Sequence, residues 1–219
     1  MASDVDICNL ALGHNGDEAN IASLSEGSAQ ADHCKRFYPI ARNALLEMHH
    51  WNFALRRQAL ALLSTDELPA EWAYAYAYPT CIKIIAVYPA DVVSSSPDGA
   101  IFDQSEFIAR AKKYPFAIET LANGNQVIYS NVEDATVLYT RLVTDTTKFT
   151  AGFVIALARL LAAYLAGPIY KGKQGMEMSA KHLEWFEKVD GPRAKAADAS
   201  AGRNTSYENF IPSSLTARN

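Results

Sequence analysis

Cysteine is scarce in this chain of 219 residues: Cys8, Cys34 and Cys81 are an odd set with no spacing pattern. That excludes a disulfide framework and a cysteine-based zinc knuckle, and the three read as small apolar residues kept as thiols. Histidine is scarce too. His14, His33, His49, His50 and His182 include none with a glutamate or cysteine at ligand spacing, and H-E-x-x-H is absent, so no metal and no cofactor is expected. There is no G-x-S-x-G elbow to anchor a serine hydrolase. Positive charge is not in excess: the formal net charge is -4. This argues against affinity built on phosphate neutralisation, while leaving room for a protein that encloses DNA without gripping it. Long apolar runs are missing. The best, Phe149 to Leu165, is interrupted by Arg159 and falls short of the ~20 residues of a membrane span, so it reads as a core helix. Met1-Ala2-Ser3-Asp4 has neither the basic nor the apolar region of a secretion signal.

What is present is an ordinary globular balance, 49% hydrophobic and 20% charged. A first helix is expected from about Ser3 to Leu12, with Val5, Cys8 and Leu12 on one face and Gly13 and Gly16 at its end. A second starts near Ser28 and carries Cys34, Tyr38, Ala41, Leu45 and Met48 at helical spacing, with Pro39 inside as a kink. Ala54 to Leu63 reads as strand. Cys81 to Tyr88 is a β-branched run between prolines, and Thr136 to Val143 is another strand. Ser94 to Gly99 has loop composition. Phe116–Leu121 and Gln126–Tyr129 flank Ala122-Asn123-Gly124-Asn125, where Asn-Gly suits a tight hairpin turn. A third helix is expected to open at Thr144 or Asp145 and to stop or kink at Pro168, with Phe149, Phe153, Leu157, Leu160 and Tyr164 on its face. A fourth spans about Lys173 to Ala199 with Met176, Leu183, Phe186 and Val189 inward and a break at Gly191-Pro192.

The order helices, strands, helices, tail predicts an α+β protein. It is mainly a helical bundle of about four helices, with an inserted antiparallel β region and an extended C-terminal arm. Residues 1–50 and 144–200 form the bundle, 51–143 the β-rich insertion, and 201–219 the arm.

Candidate chemistry is thin. Gly167 to Gln174 nearly spells a phosphate-binding loop, but Gln174 stands where a hydroxyl must hold magnesium and the segment follows a helix; an interhelix turn is the better reading. Glu67 with Glu71, or Glu184 with Glu187, are conceivable carboxylate pairs for glycoside hydrolysis, with solvated faces the plainer account. Trp72, Tyr74, Tyr76 and Tyr78 alternate with alanine, so an extended segment carries rings on one face. They suit core or a subunit interface, with carbohydrate or base stacking as the functional alternative.

Several segments in order carry a resemblance. Ile7-Cys8-Asn9-Leu10-Ala11-Leu12-Gly13 is followed by Ile21 to Ser28 and by Cys34-x-x-Phe37-Tyr38-x-x-Ala41-Arg42. Leu45 to Ala54 and Trp72-Ala73-Tyr74-Ala75-Tyr76-x-x-Pro79 complete it. Together they resemble the tail tubular protein A family of tailed bacteriophages, well over about the first eighty residues and loosely in the last helices. The resemblance implies a non-enzymatic head-to-tail adaptor of the virion neck. Such a subunit forms a homo-oligomeric ring, typically dodecameric, beneath the portal protein and docks the nozzle or next tail protein. DNA passes through without specific binding, and no membrane is involved. It also implies that the C-terminal segment holds the portal, with Tyr207, Phe210, Ile211 and Leu215 as its anchors. The stretch from Asp91 to Ser130 departs from the family pattern, which puts its contact below the ring in doubt. The competing classes are a peptidoglycan-degrading tail hydrolase and a carbohydrate-binding module built on the Tyr-Ala repeat.

Overall fold

The computed structural model describes residues 2–18, 20–64, 68–90, 108–109 and 111–201. Helix starts follow local capping chemistry. The Ser3 hydroxyl accepts from the Asp6 N–H, and the Asp6 carboxylate accepts from the Ser3 N–H, which opens α1 (Asp4–His14). Ser28 accepts from the Ala31 N–H to open α2 (Ala29–Met48), and Thr150 accepts from Phe153 to open α3 (Ala151–Tyr170). The third helix thus starts later than Thr144 or Asp145. Asp145 caps only a single 3-10 turn, Thr146–Lys148. Neither Pro39 nor Pro168 ends its helix; both lie inside continuous helical segments.

Helix α3 is central. Phe153, Leu157, Leu160, Leu161 and Leu165 are buried along with five alanines, because helices pack on it from several sides. By length and composition it is able to cross a bilayer, yet 56% of that apolar window is buried inside the protein. Lys171 and Gly172 take φ of 56° and 53° and reverse the chain, and α4 (Gly172–Trp185) runs back along α3. A Cβ on Gly175 would lie 3.1 Å from Ala166 O and Gly167 Cα, so a side chain there would have to push the two backbones slightly apart.

The expected break at Gly191-Pro192 does not occur. A π turn, Phe186–Asp190, leads directly into α5 (Gly191–Ala201), with the Gly191 N–H donating to Phe186 O. Pro192 has no N–H to continue the α ladder, and one wider turn absorbs the missing bond. The apolar stripe also needs correction. Met176 is 75% exposed and Met48 48%, whereas the buried face of α4 through α5 is Gly175, His182, Phe186, Asp190, Ala194 and Asp198. Close approach at Gly175 selects that face and turns Met176 outward.

The strands among the described residues are β1 (Leu55–Ala59), β2 (Leu62–Leu63), β3 (Tyr74–Ala77), β4 (Lys83–Pro89), β5 (Phe116–Thr120), β6 (Gln126–Ser130) and β7 (Ala135–Thr140). They form two antiparallel sheets, ordered β1-β7-β4 and β2-β3-β6-β5. The protein is therefore α+β, with Ala54 to Leu63, Cys81 to Tyr88 and Thr136 to Val143 all containing strands as expected. The β5–β6 hairpin differs in detail from a two-residue Asn-Gly turn. Gly124 alone takes a left-handed φ of 84°, its N–H donates to Leu121 O at 2.8 Å, and Leu121 N–H donates to Asn125 O at 2.9 Å. This three-residue loop needs one left-handed residue rather than two.

The sheets pack face to face. Tyr76 and Ile128 from one meet Ile84, Val87, Val137 and Tyr139 from the other in one buried cluster. An aromatic group packs the connection between α2 and β1 onto α3. The Trp51 ring lies 4.9 Å from Phe153 at 87°, Phe53 lies 5.0 Å from Phe153 at 83°, and Phe149 lies 4.7 Å from Phe153. Trp51 Nε1–H donates to Leu45 O at 2.7 Å, so its buried polar atom is satisfied.

Candidate functional site

Tyr74, Tyr76 and Tyr78 point into the cluster between the sheets, as period-two alternation requires. Tyr76 is 1% exposed and its hydroxyl donates to Val132 O at 2.6 Å, so its ring has no face left for a sugar or a base. Tyr74 and Tyr78 are half-buried against the same cluster, and the Cys81 thiol donates to the Tyr78 hydroxyl at 3.4 Å. Trp72 breaks the expected row. It precedes β3 and packs on the opposite side, against the cluster of Ala75, Val127 and Tyr129. Burial pushes the Tyr78 hydroxyl up to about 12, so it stays protonated as a donor or acceptor and is no base near neutral pH.

Of the carboxylate pairs, Glu67 lies outside the described residues, while Glu71 is exposed and holds Asn131 only through its main-chain carbonyl, at 3.3 Å. Glu184 is hydrogen-bonded to Lys188 at 2.6 Å on a solvated helix face, which holds its carboxyl below the ordinary value. Gly167 to Gln174 forms the reversal between α3 and α4, the interhelix turn. Tyr207, Phe210, Ile211 and Leu215 lie outside the described residues.

Sequence reasoning missed the polar seam between the helices. Arg159, read only as an interruption, donates from Nε to Asp190 at 2.9 Å, and its Nη1 lies 3.3 Å from His182 Nδ1. Its guanidinium also sits over the Trp185 ring at 5.8 Å. His14, from the end of α1, completes the group: Arg159 and Asp190 both act on it electrostatically, and His14 acts on His182. Burial first, then the Arg159 charge, holds His182 and His14 below the ordinary histidine value. Beyond the seam, Asn15 Nδ2 donates to Ala162 O at 3.0 Å and the Tyr170 hydroxyl donates to Asn15 O.

A second staple lies at the far end of the rod. The Asp198 carboxylate accepts from the Asn52 N–H at 3.1 Å, Asn52 Nδ2 donates to Asp198 O at 2.6 Å, and His49 Nε2 is 3.4 Å away. His49 thus stands at the end of α2, beside a carboxylate. The signal in the sequence was the set His182, Asp190 and Asp198, polar residues spaced about two helical turns apart on one face, but polar residues at helical spacing ordinarily face solvent.

Chemically the seam satisfies buried charge. Arg159 is paired, and Asp190 is engaged by it. No group of three or more His, Cys, Asp or Glu among the described residues is arranged to hold a metal ion. The Cys8 thiol is pushed up by its neighbour Cys34 and by burial, so it stays protonated as a core residue. No protein-family model matches the chain, and no curated protein matches it.

Proposed function

We propose that this chain is a structural virion protein: the subunit of a homo-oligomeric adaptor ring, typically dodecameric, that joins a phage portal to the tail. It extends the DNA channel without binding DNA specifically. In this reading a bundle of about four helices forms the ring body, the β insertion reaches toward the nozzle or next tail protein, and residues 201–219 hold the portal. It is assembled in the host cytoplasm.

The observation that carries the reading is where large apolar side chains are left uncovered. Leu10, Ile40, Met48, Ile155, Met176 and Trp185 stand exposed on the helices, and Leu62, Leu68, Ile118 and Leu142 in or beside the strand region. Uncovered apolar groups spread over both regions support a reading in which the subunit is covered on assembly. A head-to-tail contact between unlike flanks closes into a ring, and a templating portal removes much of the entropic cost of closure. The ordered segments from Ile7 to Pro79 supply the family resemblance. Most of their apolar positions, including Cys8, Leu12, Cys34, Tyr38, Ala41 and Leu45, build one core, so the resemblance concerns a folded unit.

The test is to mix the purified chain with the portal from the same phage and image the product. A ring of copies seated on the portal is the expected result. Portals that remain bare, or clearing of peptidoglycan by the chain alone in a zymogram, would overturn the reading.

A further inference from the structure

Cys8 lies on α1 and Cys34 on α2, and both are wholly buried in the helical core. Their side chains touch: the Cys8 S–H donates to the Cys34 sulfur. The neighbourhood fixes the two helices there. Asn9, next to Cys8, accepts from the Ile21 N–H at 2.9 Å and donates to Ile21 O at 3.0 Å, which ties the α1–α2 connection back onto α1. Ile21, Leu12, Ala31 and Tyr38 belong to the same buried cluster as the two cysteines.

We infer that Cys8 and Cys34 are a peroxide-responsive dithiol, which closes to a disulfide and locks α1 to α2. Two sulfurs in hydrogen-bonding contact need only a small closing movement to reach the ~2.05 Å of an S–S bond. The contact also divides the roles. A buried thiol ordinarily resists ionisation and is inert. Here the bond from the Cys8 S–H holds the Cys34 thiol below the ordinary value in spite of burial, while Cys8, the donor, is raised. Cys34 is thus the nucleophile and Cys8 the resolving thiol. Cys81, by contrast, is raised by burial and has the Tyr78 hydroxyl as its partner.

The oxidant has to be small, because neither thiol reaches the surface. Hydrogen peroxide is close to water in size. The Cys34 thiolate attacks one peroxide oxygen, the O–O bond breaks, and hydroxide leaves with the electron pair, giving Cys34 sulfenic acid. The hydroxide takes up the proton that Cys34 released. The Cys8 sulfur then attacks the Cys34 sulfur, the S–O bond breaks, and the oxygen leaves as water with the Cys8 proton. Two thiols together lose two electrons, and one peroxide becomes two waters. The bridge encloses the α1–α2 connection and restricts it in the unfolded chain. The inference rests on the sulfur pair, and stands whether or not the chain is an adaptor.

Thiol mapping in the full chain tests this. The reduced protein is treated with hydrogen peroxide, quenched with catalase, and labelled with N-ethylmaleimide in urea. Intact mass should show a single maleimide, on Cys81, where the untreated chain takes one on each of its three cysteines. Cleavage after acidic residues should recover Cys8 and Cys34 in one bridged product that dithiothreitol separates. Full labelling after peroxide overturns the inference. So does oxygen added at Cys34 without a bridge, or a bridge to Cys81 or between chains. Two variants test the roles. Cys8→Ser should gain oxygen at Cys34 on the same treatment. Cys34→Ser should oxidise at Cys8 at least ten-fold more slowly than that, and equal rates overturn the division into nucleophile and resolving thiol. The bridged chain should also unfold at higher urea than the reduced chain; an unchanged or lower midpoint overturns the lock between α1 and α2.

Discussion

The helical and strand regions bury different chemistry. On the helical side the buried polar residues include His182, Asp190 and Asp198, held by Arg159 and Asn52; on the strand side they are the hydroxyls of Ser130 and Thr140 together with tyrosines. The reason lies in how each region gains its register. A sheet sets alignment by its hydrogen-bond ladder, so its core needs only shape and hydroxyl partners. Helix α3 offers α4 an alanine-rich surface, on which the close approach at Gly175 and the Arg159–Asp190 pair set the alignment, while Asp198 ties the end of α5 to Asn52. The helical side is thus more exposed to loss of a single charge, and the strand side to loss of a ring or a hydroxyl partner.

Deleting one charge should have the largest effect. Asp190→Ala leaves the Arg159 guanidinium partly buried and unpaired, and urea unfolding should show a loss of about 3–5 kcal/mol. Replacing both, Arg159→Met with Asp190→Leu, should recover most of that stability. If the double variant is as weak as the single, the seam holds more than a charge pair and the comparison breaks.

On the strand side, Tyr76→Phe leaves the Val132 carbonyl unsatisfied in the inter-sheet core and should cost about 1–3 kcal/mol in the same assay. A loss as large as that of Asp190→Ala would erase the distinction between the regions.

Acidification should separate them further. His14 and His182 titrate below the ordinary histidine value in the folded chain, so below about pH 6.5 the unfolded chain binds more protons. Stability should therefore fall as pH drops from 6.5 through their lowered values and be flat above it. A thermal-melt series in His14→Gln/His182→Gln should lose part of that slope, with His50, which burial also holds below the ordinary value, keeping the rest. An undiminished slope would move the acid sensitivity elsewhere.

The smallest effect is expected at Glu184→Gln. The pair with Lys188 is on the solvated face, so melting should not shift measurably. A clear loss would mean that this face is covered in solution.

The element types were legible in the sequence because their signals are local. Ser3 and Ser28 before apolar periodicity, Cys81 to Tyr88 between prolines, and glycine after asparagine in the hairpin each act within a few residues. The Tyr-Ala alternation was legible as a buried strand face for the same reason, except at Trp72, which lies just outside the strand. Three things had to wait for tertiary structure. Met176 has the right spacing for a core position, but close approach at Gly175 chose a different face. Gly191-Pro192 looks like a stop, but packing of Phe186 and Ala194 on either side holds the rod together through a π turn. Arg159, His182, Asp190 and His14 come from α3, α4, the π turn and α1, and nothing in a local window pairs them. Local backbone preference is written into the sequence itself. Which face is buried, and which charges meet there, is set by contacts between distant segments that only the folded chain brings together.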